Sequence, residues 1–383
     1  MLSTILSLNP YWSIVNHIKP KNSFFIMNGV YSDKNILGMI AKGDIRSSGI
    51  EKRVQSSSLD LTLGKKGWIM KGSATPLRGE TMQTFLDRFA EEEISLKKSF
   101  TLERHIFYVF ELAEEFKIHE QLRISSNTKS SNGRIDLQSR LLSPGNPQYD
   151  LIQGAYTGKL YLEVISKSFV PVLRAGDPIN QIRFAEGNPA VSDDELRTTS
   201  LITPILFDAA GNKLELQSEH LDNGLVFTVD LESDIVGYVA KDTNKKIDLQ
   251  NTTTQKLHDY FTPISKPKDG RLSLVPGQFY LLSTRERIAI PPNYAGEMAP
   301  FDPKAGNLTV HYAGFFDAGF GYPNGNNGTL EVRVHSPAIL QHGQRLGMIR
   351  FERMLSVPNT LYGKGSNYKV QQGVKPAKYF VVE

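Results

Sequence analysis

The spacing of hydrophobic positions changes period several times along the chain. In SDKNILGMIAKGDI (32–45), Ile36, Leu37, Met39 and Ile40 form the apolar face of a helix that Ser32 can cap. VQSSSLDLTLGKKGWIM (54–70) alternates instead, with Leu59, Leu61 and Leu63 on one side and Asp60 and Thr62 on the other, which predicts a strand. TMQTFLDRFAEE (81–92) returns to helical spacing through Met82, Phe85, Leu86 and Phe89. Beyond it, short apolar runs are broken by Gly, Pro, Asn and Ser, the pattern of a β-sandwich or barrel.

Two stretches share one pattern. Residues 157–184 and 327–351 both hold Leu-Glu-Val, an apolar strand, a glycine and an Ile-Arg-Phe strand. The separation is 13 residues from Glu163 to Gly176 and 12 from Glu331 to Gly343. Phe107-Tyr108 precedes the first stretch as Phe279-Tyr280 precedes the second. A long, gapped match of this kind predicts duplicated domains. The join falls in 187–222, where SDDELRTTS (192–200) reads as a capped polar helix. The expected divisions are an extension over 1–26, a first domain over 27–190, a linker with a helix over 191–221, and a second domain over 222–383.

Composition narrows the chemistry. The 383 residues carry 44 basic and 40 acidic side chains, too balanced for a coat that binds DNA or RNA polymers. No apolar run approaches the length that spans a bilayer. With no cysteine, thiolate zinc sites and thiol nucleophiles are excluded, and a reducing cytoplasm is the expected location. The eight histidines show no metal-ligand spacing, and neither H-E-x-x-H nor G-x-S-x-G occurs.

Four constellations remain. Lys129-Ser130-Ser131-Asn132-Gly133-Arg134 reads as a polar turn or as an anion cradle, since hydroxyls, cations and a glycine suit phosphate oxygens. Glu163 and Glu331 each sit inside an apolar strand, where a carboxylate is either paired with a cation or tuned as an acid or base. HYAGFFDAGFGYPNG (311–325) is a hairpin with core aromatics or a wall for a flat base. YGKGSNYKVQQGVKPAKYF (362–380), with Tyr368 and Gln372, is a frayed tail or a lid over phosphates.

Taken together and in order, VQSSSLDLTLG (54–64), SNTKSSNGRID (126–136), YTGKLYLEV (156–164), VHYAGFFDAGFG (310–321), LEVRVHS (330–336) and YKVQQG (368–373) resemble the dCTP deaminase branch of the dUTPase-like superfamily. The resemblance implies a mainly β chain of two tandem distorted β-barrel or jelly-roll domains with minor helices. It also implies active sites between domains, in a homo-oligomer. It maps the phosphate and catalytic turn onto Lys129, Ser130, Ser131 and Arg134. The sugar-contacting aspartate of the family is missing from the first repeat, which has Gln153, and present in the second as Asp317. The second repeat in turn has FDPKAGNLTV (301–310) where the serines and arginine belong.

Each repeat keeps what the other lacks, so the expectation is a composite site. The first half supplies Lys129, Ser130, Ser131 and Arg134; the second supplies Asp317, Glu331, Ala313 and Phe315. Glu163 is the competing base and Glu331 the preferred one. The implied reaction is zinc-independent hydrolysis of dCTP to dUTP and ammonia, with Mg²⁺ only as a companion of the triphosphate. The alternatives are a dUTP pyrophosphatase, a bifunctional enzyme forming dUMP, and a nucleotide-binding regulator without catalysis.

Overall fold

The computed structural model describes residues 28–252, 254–299, 303–305, 308–311, 314–363, 368 and 371–382, with the backbone alone at 303 and 308–311. The expected extension over 1–26 lies outside them.

The first half opens with helix α1 (Asp33–Lys42), preceded by Ser32 and closed by Gly43 at φ 78°, a left-handed stop that favours glycine. Strand β1 (Leu59–Met70) follows, then α2 (Met82–Phe89), whose first turn is capped by Thr81. The helix ends at Phe89 and not at residue 92, because 90–95 leave it to pair with β1. Strands β2 (Phe107–Ile118) and β3 (Leu122–Thr128) lead to the short helix α3 (Ser130–Gly133), and β4 (Leu137–Leu142), β5 (Tyr156–Ser166) and β6 (Pro178–Glu186) complete the half. The sheet order is β4-β5-β2-β1-β6-β3, then the strand Leu151–Gln153. Leu59, Leu61 and Leu63 are buried as the alternation requires, but Asp60 and Thr62 are buried too. Thr62 donates its hydroxyl and its backbone N–H to the buried Glu114 carboxylate, and Asp60 pairs with Lys129.

Helix α4 (Asp193–Ile202), capped by Ser192 Oγ accepting from the Glu195 N–H at 3.2 Å, joins the halves. The expected linker is not all linker: Leu206 pairs with Ile288 in the second half. That half is built around β7 (Phe279–Ile288), β8 (Tyr294–Met298), β9 (Asn326–Val334) and β10 (Arg345–Arg353). Strand β7 lies between Ile235–Ala240 and β9, while β10 lies between Leu225–Thr228 and β8.

The duplication holds at the level of register. Tyr108 faces Val164 in the β2–β5 pair, and Tyr280 faces Val332 in the β7–β9 pair. Each tyrosine hydroxyl accepts from a backbone N–H five residues earlier, that of Glu103 at 3.1 Å and that of Val275 at 2.9 Å. The halves are not independent bodies. Residues 246–248 pair in parallel with 170–172, and Phe169 and Leu173 share one core with Phe261, Phe279, Leu281 and Phe380. That shared core sets the two sheets against each other and fixes the cleft between them. No helix among the described residues is long and apolar enough to cross a membrane.

Candidate active site

The cleft between the halves holds a cavity of about 260 Å³. From the first half it is lined by Gln55, Asp60, Lys129, Ser130, Ser131 and Arg134. The second half adds Met298, Gly314, Phe315, Phe316, Asp317, Thr329 and the tail residues Tyr368 and Gln371. Backbone geometry brings the halves this close. Gly314 has φ 95°, and a Cβ on it would lie 2.0 Å from Ser130 Oγ, so only glycine lets the hairpin sit against the serine turn.

Arg134 is the centre of the arrangement. It is 6% exposed and its guanidinium lies 3.9 Å from the centre of the Tyr368 ring. Nη1 donates to the Lys375 carbonyl at 2.7 Å and Nη2 to Gln371 Oε1 at 3.3 Å. Nε stands 3.9 Å from Glu331 Oε1, too far for a direct hydrogen bond. Glu331 follows Thr329 on the same face of β9; Thr329 lines the cavity and Glu331 lies beneath it, 1% exposed. Among the described residues, neither carboxylate oxygen of Glu331 has a side-chain or backbone partner from another residue, nor does Arg134 Nε. Burial pushes the Glu331 carboxyl up to about 8, with Arg134 pulling in the opposite direction.

Glu163 occupies the equivalent register position and a different environment. Oε1 accepts from Ser73 Oγ at 2.9 Å, and Oε2 accepts from the Ala74 N–H at 3.2 Å and Tyr149 OH at 2.9 Å. Its oxygens are satisfied by the first half's own loop, and no described contact joins it to the 129–134 turn. The structure therefore brings Glu331 to Arg134 and leaves Glu163 aside. The physical reason is that residues 73–74 and Tyr149 surround Glu163, whereas it is Arg134 that approaches Glu331.

The other candidates divide. Lys129 is ion-paired with Asp60, and Ser131 Oγ lies 3.0 Å from Tyr368 OH. Asp317 accepts from Ser57 Oγ at 2.6 Å and Ser58 Oγ at 2.9 Å. Phe315 and Ser130 line the cavity, and Ala313 lies outside the described residues. Gln372 is exposed, and its neighbour Gln371, 1% exposed, faces the site instead. Gln371 donates through Nε2 to Thr329 Oγ1 at 2.7 Å, which aims its carbonyl oxygen at Arg134. The tail beyond it is pinned and not frayed: Tyr379 OH donates to Asn132 Oδ1 at 2.7 Å, and 380–381 pair with 255–256. Replacing Gln371 by Ala should cut kcat/KM roughly tenfold, since it removes a buried partner of Arg134. Steady-state kinetics of Gln372→Ala should stay near the parent.

Sequence reasoning also missed Gln55, Ser57, Ser58 and Thr329. The serines were visible in VQSSSLDLTLG, but nothing local in a strand start signals a partner some 260 residues away.

Both halves of the chain have counterparts among known proteins. Residues 27–188 match the family model "2′-deoxycytidine 5′-triphosphate deaminase (DCD) N-terminal domain". Residues 203–380 match the corresponding C-terminal domain. Among curated relatives, a "dCTP deaminase, dUMP-forming" of Corynebacterium glutamicum is 34% identical over 132 residues, 32% of this chain and 67% of the relative. A protein of the same description from Mycobacterium tuberculosis is 33% identical over 133 residues, 33% of this chain and 68% of the relative. The crystal structure of a 2′-deoxycytidine 5′-triphosphate deaminase from Agrobacterium tumefaciens superposes with a TM-score of 0.80 at 33% identity, covering 87% of this chain and all of that one. With both of its halves matched in order, the chain belongs to the 2′-deoxycytidine 5′-triphosphate deaminase family.

Proposed function

We propose that this chain hydrolyses dCTP to dUTP and ammonia, in a site made by the turn 129–134 of the first half and β9 and the aromatic hairpin of the second. The observation that carries it is Glu331: a buried carboxylate whose two oxygens have no partner among the described residues, facing the Nε of a buried arginine that also has none among them. Buried polar groups are nearly always paired, and such exceptions concentrate where chemistry is done.

In this reading a water sits between Glu331 and Arg134, where acceptors and a donor converge. Glu331 takes its proton as the oxygen attacks C4 of cytosine. Arg134 and Ser130 hold the charge that develops on the tetrahedral intermediate. Glu331 returns the proton to the departing amine, the C4–N bond breaks and ammonia leaves, while the second water proton passes from the C4 hydroxyl to N3 to give the uracil ring. Phe315 and the neighbouring hairpin backbone wall the base, and Asp317 accepts from the 3′-hydroxyl of the sugar. Lys129, Ser131 and Tyr368 take phosphate oxygens. Asp60 Oδ1 is buried at the cavity without a partner among the described residues, a hard oxygen donor that suits Mg²⁺. There Asp60 would hold an ion entering with the triphosphate, and the ion would neutralise phosphate charge.

Because only the ionised carboxylate can accept the proton, kcat/KM for dCTP should rise with pH, about tenfold per unit, and level off above about 8. A pH–rate profile checks this, and a flat profile from pH 6 to 9 contradicts it.

The second reading is release of dUMP, favoured by the description of the bacterial relatives as dUMP-forming. Product analysis separates the two. Ammonia with dUTP supports the first, ammonia with dUMP and pyrophosphate the second, and dCTP binding without ammonia contradicts both.

A further inference from the structure

Arg183 lies on β6 of the first half, outside the 129–134 turn and the aromatic hairpin, and is 1% exposed. Its counterpart in the second repeat, Arg350 of the matching Ile-Arg-Phe run, is exposed. The strand therefore does not need a buried cation at this position; only the first copy draws one in. Burying a guanidinium is costly unless its donors are matched.

Here the Nη donors are matched, chiefly to the second half, while Nε has no partner among the described residues. Nη1 donates to the Gly296 carbonyl and to Glu352 Oε2, both at 3.2 Å. Nη2 stands 3.3 Å from Asp317 Oδ1 and 3.5 Å from both the Phe316 carbonyl and Ser57 Oγ. The guanidinium also covers the face of the Phe315 ring, 4.1 Å from its centre. One side chain thus touches Phe315, Phe316 and Asp317, three successive residues that line the cavity. With Ser57 and Ser58 it sets the direction of the Asp317 carboxylate.

We infer that Arg183 is a positioning residue for recognition of the substrate's 3′-hydroxyl: it holds Asp317, with Ser57 and Ser58, in the orientation that accepts from that hydroxyl, while fixing Phe315 against the base. The inference rests on the reading of Asp317 given above. It assigns Arg183 no contact with substrate. Arg is suited to the task and Lys is not, because only the planar fork reaches Glu352 and Asp317 at once.

The test compares dCTP with 2′,3′-dideoxycytidine triphosphate, which lacks the hydroxyl. The parent enzyme should favour dCTP in kcat/KM by roughly 10–100-fold, the worth of a hydrogen bond to a charged group. Arg183→Met should bring that ratio to within about threefold of unity, and Arg183→Lys should fall between. A purely structural defect would lower both substrates together and keep the ratio, which overturns the inference. A parent that releases ammonia equally from both nucleotides overturns it too. Should Arg183→Met not fold, Arg183→Lys and Ser57→Ala decide: an unchanged ratio in both overturns the inference, and a reduced ratio supports it. Absence of ammonia from dCTP with the parent itself would instead contradict the proposed function.

Discussion

Glu331→Gln should lower ammonia release from dCTP by about 10²–10⁴-fold, while Glu163→Gln keeps turnover within roughly threefold of the parent. The two glutamates share a register position in duplicated strands, so sequence context barely separates them. Their surroundings do. Glu163 accepts three hydrogen bonds from its own half and has no spare capacity near Arg134. Glu331 accepts none from other described residues and faces Arg134. A second readout comes with the first. The folded carboxyl of Glu331 titrates at about 8 against an ordinary 4.5, so the fold prefers its protonated form. Its contribution to stability is intact below about 4.5 and is lost as pH rises through about 8. Glu331→Gln removes that loss, so its melting temperature relative to the parent should increase between pH 5 and pH 9. A variant that is dead and more stable at high pH is the signature of a group held ionisable against the preference of the fold.

Arg134→Met should cost about 10²–10³-fold in kcat, the usual penalty for removing a preorganised electrostatic donor. Unlike Glu331→Gln it should also raise KM for dCTP. Arg134 holds Gln371 and the Lys375 carbonyl and stacks on Tyr368, so its loss loosens the tail that closes the cavity. The residual activity carries a further mark. Arg134 is the cation that opposes the burial effect on Glu331. Without it the carboxyl titrates higher still, and the inflection in kcat/KM should move above about 8. Arg134→Lys keeps the charge but loses the fork, and should recover the pH profile more than the KM.

Much of this was readable from the chain, for definite reasons. The Leu-Glu-Val and Ile-Arg-Phe runs recur because paired strands with a buried face tolerate few substitutions, and β5 and β9 confirm the match at Tyr108 and Tyr280. Arg134, Asp317 and Glu331 stand out in the sequence because each half lacks what the other holds. Local pattern failed where both faces of a strand are covered. Asp60 looks like the solvent side of an alternating strand, yet it is buried beside Lys129. It failed again at Gln371 and Gln372, which sit in an aperiodic tail where nothing local says which one turns inward. Arg183 and the Ser57–Asp317 pair depend on how the two sheets dock, and no periodicity encodes that.

The central claim is that one chain contains the whole site. Arg134 and Glu331 come from different halves of the same molecule and lie 3.9 Å apart. The most direct measurement is to co-express Arg134→Met and Glu331→Gln chains in equal amounts and assay the whole random mixture of assemblies for ammonia release from dCTP. A site closed within each chain predicts activity no higher than that of the two single variants alone. Recovery toward about a quarter of the unmutated rate, as expected if arginine and glutamate meet across chains, would contradict it.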